Sequence, residues 1–208
     1  MMNDYTKLDS LLHATPAPNL SAHDEVGQSL MGLATQVASV DGRATPDVEG
    51  LRLLLAAGGR PRADDMGTEG GQTLIERLAR GDGEPDRLVL DMLLNAGLSA
   101  NTPTSDGRSV LLYKYLKPDA ARAFLAHGAD KSVRDARAEA ADWSPVTVHA
   151  EMRNWATALA LLQGGVPPDH GTPSGAVLAR VLKDEADQLT DDDRADASFK
   201  TFMTLVQK

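Results

Sequence analysis

Cysteine is absent from the 208 residues, which removes disulfides, thiolate metal sites and cysteine nucleophiles together. Aromatic residues make up only 4% of the chain. With alanine plentiful, that suits thin layers of helices approaching closely through small side chains. No segment comes near the roughly 18 consecutive apolar residues of a membrane-spanning helix, so no membrane insertion is expected. The first residues, Met1-Met2-Asn3-Asp4-Tyr5-Thr6-Lys7, carry neither the basic stretch nor the apolar run of a secretory leader. A soluble, cytoplasmic protein is the expectation. Basic residues are outnumbered: 21 Lys plus Arg face 30 Asp plus Glu, a net charge of −9 that repels nucleic acid and anionic lipid and favours a basic partner. Hydrophobic residues reach 42%, enough for a continuous core and too many for wholesale disorder.

The signatures of catalysis are equally thin. His13, His23, His127, His149 and His170 never stand as an i, i+4 pair. His23-Asp24-Glu25 reads as a polar loop, and His149 as a hydrogen-bonded structural histidine. No Gly-x-Ser-x-Gly turn occurs, and Thr172-Pro173-Ser174-Gly175 is only a turn. Asp64-Asp65, Asp184-Glu185 and Asp191-Asp192-Asp193 read as solvated charge runs. The glycines of Gly58-Gly59-Arg60 and of Gly67-Thr68-Glu69-Gly70-Gly71 are not followed by the Lys-Ser/Thr of a phosphate cradle. No cofactor, metal or enzymatic activity is expected.

What the chain does contain is a repeat. Gly27-Gln28-Ser29-Leu30-Met31, Gly71-Gln72-Thr73-Leu74-Ile75, Gly107-Arg108-Ser109-Val110-Leu111 and Asp142-Trp143-Ser144-Pro145-Val146 are alike. A weaker fifth copy is Gly175-Ala176-Val177-Leu178. Successive starts lie 44, 36, 35 and 33 residues apart (27, 71, 107, 142, 175). After each of the first four comes an apolar helix ending in glycine: Leu51 to Gly58, Leu88 to Gly97, Ala121 to Gly128 and Ala158 to Gly165. Glycine is the residue that turns left-handed past a helix end without a Cβ clash. Ser29, Thr73, Ser109 and Ser144 stand where a hydroxyl caps the first helix, with Pro145 at the helical position that needs no N–H. The unit is therefore capped helix, turn, second helix, glycine stop, extended turn. Such units cannot bury their apolar faces alone and must lean on neighbours.

At the ends, Leu8, Leu11 and Leu12 predict an N-terminal half-repeat within Lys7 to His13. Phe199, Phe202, Met203 and Val206 predict a C-terminal capping helix, with Asp191 to Asp193 at its electropositive start. The whole chain then reads as one domain: an N-terminal cap (1–26), units starting near 27, 71, 107 and 142, and a C-terminal unit and cap (175–208).

Ser144-Pro145-Val146-Thr147-Val148-His149-Ala150, followed by Ala160-Leu161-Leu162-Gln163-Gly164-Gly165, resembles the ankyrin repeat, as does Phe124-Leu125-Ala126-His127-Gly128-Ala129-Asp130. The likeness spans roughly residues 26–185. Departures are plain: the family's helix-opening His is replaced by Gly32, Glu76, Leu112 and Thr147, only one unit keeps Pro, and Asp142 takes a usual glycine position. Insertions fall at Asp41 to Asp47, Gly81 to Pro85 and Ala136 to Ala141. The resemblance implies an all-α, ankyrin-like solenoid that binds a protein through turn tips and the exposed faces of its first helices. The positions it marks are Met66, Glu69, Gln72, Asp106, Arg108, Asp135, Arg137, Glu139, Trp143, Glu151 and Met152. Trp143 is expected at the surface, unless the Ala136 to Ala141 insertion folds over it; Trp155 is expected to pack inside.

The functional expectation is a non-enzymatic binding module, monomeric when unbound. Its Ala/Gly/Asp-rich, bacterial-type composition and small size suggest a dedicated partner, such as a basic toxin that it neutralises as an immunity protein. The alternative is a secreted or regulatory ankyrin effector that binds target proteins in another cell.

Overall fold

The computed structural model describes residues 5–25, 28–35, 46–63, 65, 73–81, 83–136, 143–168, 177–186 and 188–206. These residues are mostly helical and contain no β-strand; His23 and Ser29 form an isolated antiparallel bridge. In chain order the helices are α1 (Tyr5–Leu12), α2 (Leu30–Ala34), α3 (Val48–Ala56), α4 (Leu74–Arg80), α5 (Glu84–Asn95), α6 (Pro118–Ala126), α7 (Pro145–Glu151), α8 (Trp155–Gln163), α9 (Val177–Ala186), α10 (Asp191–Ala195) and α11 (Ala197–Val206). A 3-10 turn, Val110–Leu112, stands between α5 and α6. The chain divides into two compact units, Met1–Asp106 and Gly107–Lys208.

Local chemistry sets the element ends. All four expected hydroxyls cap: Ser29 Oγ accepts from Gly32 N, Thr73 Oγ1 from Glu76 N, Ser109 Oγ from Leu111 N and Ser144 Oγ from Thr147 N. Each serves one of the N–H groups that a helix start leaves without a partner. At the other end, α3, α5, α6 and α8 stop in the same way. Gly58, Gly97, Gly128 and Gly165 all have positive φ, between 81° and 107°. The residue after each glycine returns its N–H to a carbonyl five residues back: Gly59 to Leu54, Leu98 to Leu93, Ala129 to Phe124 and Val166 to Leu161. This is the paired-bond Schellman closure, which needs the left-handed residue glycine supplies.

In the first unit, α3 packs with α1, α2 and α5, and α4 packs with α5. Met31, Leu51, Leu74, Ile75, Leu90 and Leu93 are its largest fully buried side chains. The N-terminal helix docks mainly at its start, where Tyr5 Oη donates to Asp47 Oδ1 at 2.8 Å. Its expected leucine stripe is only partly covered: Leu8 and Leu12 are half-buried and Leu11 is exposed.

In the second unit α8 is central, packing against α6, α7 and α11. The approach of α6 to α8 is close because small residues face each other. Ala120, Ala121 and Ala123 lie buried on one helix, Ala158 and Ala160 on the other. At Gly164 even a methyl group would run into the Leu125 side chain. Phe124, Leu161 and Phe202 complete this core.

Two expectations are corrected. The third unit does not open with a full α-helix. Pro118 begins α6 sooner after the capping hydroxyl (Ser109 to Pro118) than Glu84 and Trp155 do in their units (from Thr73 and from Ser144). The residue before proline, Lys117, is held extended at ψ 151°, so only one tight turn fits. Likewise Asp191 to Asp193 do not lead into the last helix. They form the first turn of α10, where Thr190 and Asp193 make a reciprocal capping box. The acidic residue that starts α11 is Asp196, whose Oδ1 accepts from Phe199 N at 2.8 Å.

Candidate interaction surface

Two of the first helices, α4 and α7, carry at their third position a side chain that reaches into a later turn of the same unit. In α4 this is Glu76, only 4% exposed. One carboxylate oxygen accepts from Thr73 N and Oγ1 at 2.9 and 3.1 Å, the other from Ser105 N and Oγ at 3.1 and 2.7 Å. Burial pushes its pKa up, but the donors of Ser105 and Thr73 outweigh that and hold the carboxyl below its usual value. In α7 the same position is Thr147, whose Oγ1 donates to the Pro168 carbonyl at 2.9 Å alongside Ser144 Oγ. These bonds fix where the extended turns stand.

His149, fully buried in α7, is the structural histidine the sequence suggested. Its Nε2 lies 3.1 Å from the Leu111 carbonyl, which can only accept, so Nε2 carries the proton. Nδ1 then accepts from Asn154 Nδ2 at 3.3 Å. Burial lowers its pKa to about 4, partly opposed by the Leu111 bond, so the ring is neutral at physiological pH.

The turn between α7 and α8 is the most unusual local feature. It has the same paired-bond closure as the four glycine stops: Arg153 N donates to the Ala150 carbonyl and Asn154 N to that of His149. Here the left-handed residue is Arg153, at φ 56°. A side chain in that conformation costs on the order of 1 kcal/mol relative to glycine. The guanidinium is heavily engaged. Nε donates to Glu185 Oε2 at 2.6 Å, Nη2 to Gln188 Oε1 at 3.0 Å, and Nη1 stands 4.0 Å from Asp193 Oδ2.

The eleven sequence-predicted contact positions fare unevenly. Met66, Glu69, Gln72, Arg137 and Glu139 lie outside the described residues. Asp135 is a correction: it is 1% exposed, its N–H donates to the Trp143 carbonyl at 2.9 Å, and its carboxylate lies 3.7 Å from Arg108. A buried, ion-paired Asp that bridges two turns holds the fold and is out of reach of a partner. Arg108 and Trp143 are half-buried. In the first unit Asp106 is exposed, accepting from Thr104 Oγ1 at 2.6 Å. In the second unit Glu151 and Met152 are exposed at the end of α7. Trp155 is buried as expected, its ring edge-on to Phe199 with centroids 4.8 Å apart.

Sequence reasoning missed Tyr115. It is 48% exposed, edge-on to Tyr113 at 5.6 Å, with Lys114 Nζ 4.6 Å from the centre of its ring. The neighbouring Leu116 carbonyl accepts from Thr157 Oγ1 at 2.8 Å and from Asn154 Nδ2 at 3.4 Å. The segment bearing Tyr115 is thereby tied to the turn that follows Met152. Tyrosine, methionine and arginine are the residue types enriched in interface hot spots. The signal available in the sequence was the Tyr113-Lys114-Tyr115 run in a chain with so few aromatics. A separate shallow groove of about 380 Å³ lies between the ends of α6 and α8, flanked by Arg122 and Lys131.

Among the described residues no group of three or more His, Cys, Asp or Glu is placed to hold a metal ion, and no helix is long and apolar enough to cross a membrane. Comparison with models of known protein families and with curated proteins finds no match.

Proposed function

We propose that this chain is a non-enzymatic binding module, an ankyrin-like array of helix pairs that grips one dedicated protein partner. The observation that carries the reading is the fourfold recurrence of one closure, with Gly58, Gly97, Gly128 and Gly165 each ending a second helix by the same pair of backbone bonds. Helix pairs closed this way hold their turns and first-helix ends on a rigid frame within each unit. Exposed Met152 and Glu151, with Tyr115 on the adjoining segment, supply contact residues in the second unit. In its most specific form the partner is a basic toxin and the chain is the immunity protein that neutralises it inside the producing cell. The net charge of −9 supports that choice, since it accelerates encounter with a cationic protein.

The test replaces Met152 with a photo-cross-linking amino acid in the producing cell and identifies the adduct by mass spectrometry. One discrete protein adduct is expected, and the purified pair should associate more slowly as ionic strength rises. Absence of any adduct from Met152 and from a second probe at Asp106 removes the binding reading. An association rate indifferent to salt removes the basic partner. A partner from another cell, reached after export of this chain, turns the assignment to an effector.

A further inference from the structure

The second unit ends in a small assembly whose polar side is organised around Arg153. The α11 helix covers α8, with Phe199 and Phe202 against the Trp155 ring at centroid separations of 4.8 and 5.9 Å. Phe202 is the one fully buried side chain of α11, with Phe199, Met203 and Val206 half-buried beside it, and no residue of α10 is buried. The Trp155 Nε1 group is itself buried with no partner at hydrogen-bond distance. The Asp193 carboxylate is held below its usual pKa chiefly by the Thr190 donors, with Trp155 the smallest contributor. The α11 helix is therefore held on α8 by its rings, whereas α10 contributes no buried apolar side chain of its own to the docking. Across the same seam stands Arg153, reaching Glu185 at the end of α9, Gln188 in the connection, and Asp193 in the first turn of α10.

A stability-only design would place glycine at position 153, as the chain does at its four other closures of this type. Arginine in a left-handed conformation persists where the surroundings make use of it. We propose that Arg153 is a clasp, and that α10 and α11 form a detachable C-terminal cap whose docking on α8 it controls separately from the folding of the rest of the second unit. Arg153, Glu185 and Asp193 are 31%, 15% and 21% exposed, so salt weakens the clasp. Releasing it frees the cap, uncovers Trp155 and leaves α6, α7 and α8 packed. Such separable units at the ends of helical arrays open at lower free energy than the middle.

The protein carries a built-in reporter. With only two tryptophans in the chain, Trp143→Phe leaves Trp155 as the sole fluorophore. In that background, Arg153→Gly relieves the backbone strain and removes the clasp in one step. The expected result is a red-shifted Trp155 emission and several-fold stronger acrylamide quenching, with far-UV circular dichroism lowered by no more than the loss of the two terminal helices. Without the Arg153 change, added sodium chloride should raise the quenching progressively over a range in which the dichroism barely moves. This second measurement stands even if the glycine variant folds poorly. The proposal is overturned if Trp155 in Arg153→Gly stays as shielded as in its parent. It is equally overturned if salt or denaturant exposes Trp155 only in step with loss of the whole helical signal.

Discussion

Glu76→Ala should destabilise the first unit by about 2–4 kcal/mol. The carboxylate is buried and accepts four hydrogen bonds, two from Thr73 and two from Ser105, spread over both oxygens. A hydrogen bond to a charged group contributes roughly 1.5–3 kcal/mol net. The four do not add, because Ser105 is exposed and water replaces Glu76 there once the side chain is gone. What water cannot restore is the reciprocal cap on α4, a feature whose loss alone costs roughly 0.5–2 kcal/mol. Glu76→Gln should cost nearly as much despite its similar shape. One of its ends becomes an NH2 group, a donor aimed at the donors of either Thr73 or Ser105. Since the native carboxyl sits below its usual pKa, its contribution is complete above about pH 4.3, the ordinary glutamate value, and fades as the pH falls through the lowered one. The assay is urea denaturation followed by circular dichroism at pH 7 and below pH 4, because both tryptophans lie in the second unit and fluorescence would not see the first. A Glu76→Ala protein within about 0.5 kcal/mol of wild type at pH 7, the usual range of an inert surface change, would refute the reasoning.

Leu161, fully buried in α8, should cost about 2–5 kcal/mol as Leu161→Ala, read from the denaturation midpoint. Gly128→Ala and Gly164→Ala separate two kinds of glycine. At Gly128 (φ 82°) an added Cβ meets nothing within 4 Å, so the loss is the backbone strain of about 1–2 kcal/mol. At Gly164 φ is unremarkable, but the methyl collides with Leu125 between α6 and α8, and the larger loss of melting temperature is expected there. His149 should appear neutral by NMR at pH 6. Its folded pKa of about 4 lies below the ordinary 6.5, so the unfolded chain takes up the proton first. Stability of the second unit therefore falls between those values by on the order of 3 kcal/mol, a decline that His149→Gln should flatten.

The parts of this protein that follow from neighbours in the chain were legible in its sequence. A serine or threonine two or three residues ahead of the N–H groups it serves, and a glycine just past an apolar helix, act over a few residues, so pattern alone located Ser29, Thr73, Ser109 and Ser144 and the four closing glycines. The same locality predicted a helical chain. Contact between distant segments decided the rest. Nothing near Glu76 in the sequence announces Ser105, and nothing near His149 announces the Leu111 carbonyl. Asp135 read as a surface charge until Arg108 was seen across from it, and nothing near Arg153 in the sequence announces Glu185, Gln188 and Asp193. Those pairings arise only when the helices stack, because a polar side chain is buried or exposed according to whether another segment arrives to satisfy it.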